Sequence, residues 1–101
     1  MTYTQEISGN TATIALSGEL DSHAAHETIG YIANVIDLYR PAALNLDLAR
    51  LTFMDSSGLA VVLGAYKRMR ELDGSLRVTH AGAQPMKVFS AVRLDRLISF
   101  G

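Results

Sequence analysis

Hydrophobic and polar positions along this chain switch between two periods, and the switches mark out its elements. Residues 3–8 and 11–17 read as two strands, with Ile14 and Leu16 on one face and Thr13 and Ala15 on the other. Gly9-Asn10 between them is a two-residue hairpin signal. Gly18 reads as the end of the second strand, and Asp21-Ser22 offers a helix N-cap. Ala25, Ile29, Ile32, Ile36 and Tyr39 then recur at helical spacing, forming an apolar stripe that Pro41 closes.

Leu44, Leu46 and Leu48 alternate with Asn45 and Asp47, which predicts a strand with one apolar face. Residues 49–54 read as a short connection. Asp55-Ser56-Ser57-Gly58 precedes a second helix with the stripe Leu59, Val62, Leu63, Tyr66, Met69 and Leu72. Asp73-Gly74 ends it, with Gly74 suited to the left-handed C′ position. Residues 75–80 alternate again. Pro85 fits the first turn of a third helix carrying Met86, Phe89 and Val92, and residues 96–100 read as a last strand. The order β-β-α-β-α-β-α-β predicts an α/β fold with a mixed, mostly parallel sheet. Right-handed crossovers place the helices mainly on one face.

Composition narrows the class. The chain has 101 residues, 49% hydrophobic and 19% charged, which suits one globular domain over 1–101. It has no cysteine, so a disulfide scaffold, a thiolate metal site and a catalytic cysteine are excluded. The first twenty residues hold no basic region followed by an apolar run, and no apolar run approaches a membrane span. A cytoplasmic location with no membrane partner is the expectation. Net charge is −1 and the basic residues are scattered, apart from Lys67, Arg68 and Arg70, which argues against nucleic acid.

Chemistry concentrates in Asp55-Ser56-Ser57-Gly58, which follows a strand and opens a helix. Ligands and partners of open α/β sheets gather at that end of the strands. The first N–H groups of a helix have no partner within it and attract anions. Ser56 or Asp55 can cap the helix, or Ser56 can also accept a phosphate. Asp21 occupies an equivalent place, as a cap or as part of a binding surface. If the strand before it lies beside the Leu44–Leu48 strand, Asp21 and Ser56 face one rim.

Three other chemistries are weaker. A Ser56 or Ser57 hydrolase needs a nucleophile elbow, but Met54 stands where Gly-x-Ser-x-Gly requires glycine, and only His23, His26 and His80 are candidate bases. A magnesium-dependent aspartyl acceptor built from Asp21, Asp47 and Asp55 lacks an acidic pair at one strand end. His23 and His26 supply two metal ligands without a third. No metal, cofactor or enzymatic activity is expected.

Three blocks resemble a known family. They are Leu16-Ser17-Gly18-Glu19-Leu20-Asp21, then Asn45-Leu46-Asp47 through Leu51-Thr52-Phe53-Met54-Asp55-Ser56-Ser57-Gly58-Leu59 to Lys67, and Gly74 to Phe100 with Pro85, Lys87, Phe89 and Leu94 in register. The chain resembles the STAS-domain anti-sigma factor antagonists, above all the sporulation type, stage II sporulation protein AA. The resemblance implies that Ser56 is the phosphorylation site. It also implies that the unphosphorylated form binds an anti-sigma factor, a nucleotide-bound serine kinase, and so frees the sigma factor. A metal-dependent serine phosphatase resets the switch. Asp21, and with it Asp55, Ser57 and Gly58, is expected in the partner surface. The alternative is a STAS scaffold or a transporter-associated binding module. Ala60 stands where the family often has glycine, and members often carry a further C-terminal helix.

Overall fold

The computed structural model covers residues 1–101. Its elements run β1 (Thr2–Ser8), β2 (Thr11–Leu20), α1 (Ser22–Tyr39), β3 (Ala43–Met54), α2 (Ser57–Glu71), β4 (Ser75–Thr79), α3 (Ala83–Ala91) and β5 (Ser99–Phe100). The strands lie in the order β1-β2-β3-β4-β5. Only β1–β2 is antiparallel, and the other three pairings are parallel. This is the expected mixed, mostly parallel α/β sheet, with α1 and α2 packed side by side. The hairpin turns at Gly9-Asn10, where Gly9 takes φ 59, a value open to glycine at little cost.

Alternation fixes which face is buried. Ala12, Ile14 and Leu16 of β2, Leu44, Leu46 and Leu48 of β3, and Leu76 and Val78 of β4 enter one core. Thr13, Asn45, Arg77 and Thr79 point to the other face, where Thr79 Oγ1 donates to Asn45 Oδ1 at 3.0 Å.

Five boundaries and faces differ from the sequence reading. β3 does not stop at Leu48 but runs on to Met54, so residues 49–54 are strand and not connection. Its pairing with β2 slips twice: Ala15↔Asp47 is followed by Ser17↔Arg50, and Gly18↔Leu51 by Glu19↔Phe53. These bulges insert extra residues in β3 and return Leu51 and Met54 to the core. They also erase the period of two that reveals a strand. Gly18 does not end β2, but sits inside it at φ 109 beside the slip.

The helices are rotated from their expected stripes. α1 buries Ala24, Ala25, Thr28, Ile32, Val35 and Ile36, while Ile29 and Tyr39 are exposed. Thr28 is buried because its hydroxyl donates to Ala24 O at 2.9 Å and also meets Tyr3 OH at 2.9 Å. Tyr3 in turn stacks on Tyr31. α2 buries Gly58, Val61, Val62, Ala65 and Met69, and Leu59, Leu63, Tyr66 and Leu72 flank this face half-buried. Small residues allow the close approach that a search for large apolar side chains overlooks.

At the end of α2, Asp73 rather than Gly74 takes the left-handed conformation, with φ 55. Gly74 is needed for space: a Cβ there would lie 2.6 Å from Met69 Cε and 2.9 Å from the Ala42 carbonyl oxygen. The last expected strand shrinks to Ser99–Phe100, preceded by a 3-10 turn at Leu94–Arg96. Leu94 and Ile98 bury there, and Phe100 packs on Phe89.

Candidate functional site

β2 and β3 end level with each other. Leu20 pairs with Met54, and Asp55 N–H donates to Leu20 O at 3.2 Å. The next residues, Asp21 and Asp55, therefore leave the sheet at one rim, and the segments bearing Asp21 and Ser56 share it as expected. Asp21 caps α1, with Oδ1 accepting from Ala24 N–H at 2.9 Å.

The start of α2 divides its tasks. Asp55 is half-buried, and its Oδ1 accepts from Ser57 N–H at 2.7 Å. Its carbonyl accepts from Gly58 N–H at 3.1 Å, and the Ser56 carbonyl accepts from Leu59 N–H at 3.1 Å. Asp55 thus does the capping. Ser56 sits at φ −63, ψ −17 and its side chain makes no capping hydrogen bond. Its hydroxyl is exposed at the mouth of the rim. Ser57 is half-buried, with its N–H held by Asp55. Gly58 is buried, and a Cβ on it would run into Met54 Cγ and Sδ. Its contribution to the rim is close packing, so the backbone can turn over Met54.

The other side of the rim is built by α3. Gln84 reaches back to the last residue of β3 and grips both its backbone groups. Nε2 donates to Met54 O at 2.6 Å, and Oε1 accepts from Met54 N–H at 2.8 Å. β4 stops pairing with β3 at Asp47↔Thr79, so this amide takes the place of a neighbouring strand at Met54. Between α2 and α3 lies a groove of about 410 Å³ lined by Ser56, Leu59, Gln84, Lys87, Val88, Ala91 and Val92. Lys87 is its one charged residue.

Sequence reasoning did not find Gln84 or the groove. No local pattern marks a glutamine that bonds a strand end thirty positions away. The groove did leave a trace: Val92 extends the apolar stripe of α3 but is 56% exposed, more apolar surface than the core uses.

Asp47 lies partway along β3 and bonds His80 Nδ1 at 3.1 Å and Ala49 N–H at 3.0 Å, apart from the rim that holds Asp21 and Asp55. His23 and His26 are exposed on the first turns of α1. No three His, Asp or Glu side chains are grouped as a metal ion would need. No helix is long and apolar enough to cross a membrane.

The fold and rim define an α/β domain that presents an exposed serine, making no capping bond, between two helices at the carboxyl ends of its parallel strands. The chain belongs to the STAS-domain family: the family model described as "Mlab, STAS domain" matches residues 3–99. Among curated relatives, it is 38% identical over 65 residues to the anti-sigma F factor antagonist of Paenibacillus polymyxa, covering 64% of this chain and 56% of that protein. The chain thus matches little more than half the length of that relative. Among solved structures, it superposes on the anti-sigma factor antagonist SpoIIAA in its unphosphorylated form with a TM-score of 0.84 and 28% identity, covering 99% of this chain and 88% of that one. It also superposes on the Bacillus cell fate determinant SpoIIAA in the phosphorylated form, with a TM-score of 0.76 and 28% identity, covering 99% and 91%.

Proposed function

We propose that this chain is an anti-sigma factor antagonist, a regulator and not an enzyme, switched by phosphorylation of Ser56. The unphosphorylated form binds an anti-sigma factor that is also a nucleotide-bound serine kinase, and so releases the sigma factor. The kinase transfers the γ-phosphoryl group of ATP to Ser56 Oγ. An Oγ–P bond forms, the bond to the β-phosphate oxygen breaks, ADP leaves and the hydroxyl proton is released. A metal-dependent serine phosphatase reverses the modification by hydrolysis. The partner surface comprises the rim around Asp21, Asp55, Ser57 and Gly58.

The observation that carries this reading is the division of labour at α2. A serine at a helix start ordinarily caps it. Here Asp55 does so, leaving the exposed Ser56 hydroxyl without a structural task. The names of the relatives and the phosphorylated state of a structural neighbour support the same reading.

A phosphoserine carries roughly −1.5 to −2 charges at pH 7. Set beside Asp55 and an apolar groove, that charge opposes burial in an interface by repulsion and desolvation. A hundredfold loss of affinity needs only about 2.8 kcal/mol.

The second reading is a STAS scaffold or transporter-associated module. It draws on the same groove, which would seat a partner's apolar side chain with or without a phosphate. Incubation with a candidate anti-sigma kinase and ATP, followed by phosphopeptide mass spectrometry, separates the two. Phosphate on Ser56 supports the switch. Stable binding with Ser56 left unmodified supports the plain module.

A further inference from the structure

We infer that Lys87 of α3, rather than the amides that open α2, is the counter-charge for a phosphate on Ser56, so that modification joins α3 to the Ser56 segment across the groove. This rests on Ser56 being the acceptor.

The amides of Ser57, Gly58 and Leu59 are the expected anion site at the start of α2, but each of these three is already engaged. Ser57 N–H is held by the Asp55 carboxylate at 2.7 Å, Gly58 N–H by Asp55 O, and Leu59 N–H by Ser56 O. A phosphate turning to Ser57 N–H would have to displace a carboxylate, and two anions would then compete for one donor. Toward α3 the situation is reversed. Ser56 and Lys87 line one groove whose other members are Leu59, Gln84, Val88, Ala91 and Val92. The amide of Gln84 is committed to Met54 through both its ends. That leaves the Lys87 ammonium as the only cation in the groove. Its stem is long and flexible, and its ammonium is a mobile point charge on an otherwise uncharged groove wall.

The consequence is a second effect of phosphorylation. Besides adding repulsive charge to the rim, the modification draws Lys87 over the groove and closes the apolar surface a partner would use.

The test needs no kinase and no partner, so it can fail or succeed independently of the switch itself. Phosphoserine is installed at position 56 during synthesis, and its ³¹P resonance is titrated in the native sequence and in Lys87→Gln, Lys87→Arg and Asp55→Asn. A free phosphoserine has its second pKa near about 6. A neighbouring cation favours the dianion, so the midpoint is expected about 0.5–1 pH unit lower with Lys87 than with Lys87→Gln. Lys87→Arg retains the low midpoint. Raising the salt concentration narrows the gap, since the pair is open to solvent. Asp55 acts in the opposite sense in all lysine variants and cancels from the comparison. Lys87 is exposed, so its replacement leaves the core intact. Identical titrations for the native sequence and Lys87→Gln overturn the inference. So does a midpoint that ignores Lys87 but moves with Asp55→Asn, together with a displaced Ser57 amide resonance, because the phosphate would then sit on α2.

Discussion

Gln84 holds Met54 by both of its backbone groups, at 2.6 Å and 2.8 Å, and so couples the first turn of α3 to the strand end two residues before Ser56. Met54 is fully buried, and no strand covers this edge of β3. Removing the amide leaves a buried N–H and a buried C=O without partners. Such unmade bonds cost about 1–3 kcal/mol each, relieved in part where water enters. Gln84→Ala is therefore expected to lower unfolding free energy by about 2 kcal/mol. Local opening should show first, as faster hydrogen exchange at the Met54 amide. Exchange there at the native rate would mean that Gln84 only decorates the rim.

Two glycines on α2 and its exit should respond in opposite directions to alanine. Gly64 lies inside the helix, and a Cβ there meets nothing within 4 Å. Alanine relieves the entropic cost of glycine in a helix, so Gly64→Ala should stabilise by about 0.5–1 kcal/mol. Gly74 is hemmed in by Met69 Cε and the Ala42 carbonyl oxygen. The carbonyl belongs to backbone bonded into the sheet and cannot withdraw freely, since Ser75 N–H donates to Ala42 O at 3.0 Å. Gly74→Ala should destabilise by about 1–3 kcal/mol. Thermal melts of the two variants, measured beside the native chain, check both signs.

The contrast at Gly74 shows what the sequence could carry. Asp73-Gly74 correctly marks the end of α2, but the local pattern assigns the left-handed residue to glycine, while the chain places Asp73 there and spends the glycine on a contact with residue 42. The element order and the parallel sheet were legible because strand and helix periods are local properties. β3 beyond Leu48 was not, because two bulges set by its neighbour β2 shift the core residues out of alternation. The face of α1 turned on Tyr3, a residue of a distant strand that satisfies buried Thr28. At the site, the Asp-Ser-Ser-Gly run was legible as a helix start. The choice of Asp55 over Ser56 as cap was not, since either side chain can do the task.

That choice makes Ser56 replaceable without loss of stability. Asp55 supplies the capping bond, so Asp55→Ala should cost about 1 kcal/mol. Ser56 supplies none, so Ser56→Ala should stay within about 0.5 kcal/mol of the native chain. Toward the proposed anti-sigma kinase the order should reverse. Ser56→Ala should bind and escape modification, whereas Ser56→Asp should bind at least about a hundredfold more weakly, or about 2.8 kcal/mol. Urea unfolding and calorimetric titration on the same four preparations separate the two scales. Normal binding by Ser56→Asp would rule out charge as the basis of the switch.

Asp21 has a structural duty that can be kept while its charge is removed. Its Oδ1 accepts from Ala24 N–H at 2.9 Å, and an asparagine presents an oxygen in the same place. Asparagine caps helices about as well as aspartate, whereas alanine costs about 1 kcal/mol. Asp21→Asn should therefore keep the urea midpoint, and Asp21→Ala should lower it. If the carboxylate itself meets a cation on the anti-sigma kinase, Asp21→Asn loses at least about tenfold in affinity, or about 1.4 kcal/mol, with stability unchanged. The loss should shrink as salt is raised, because the rim is open to solvent. If Asp21 serves only α1, the asparagine variant binds like the native chain and the alanine variant weakens binding only as far as the helix start frays. Isothermal titration of both variants at low and high salt decides between a cap and a contact.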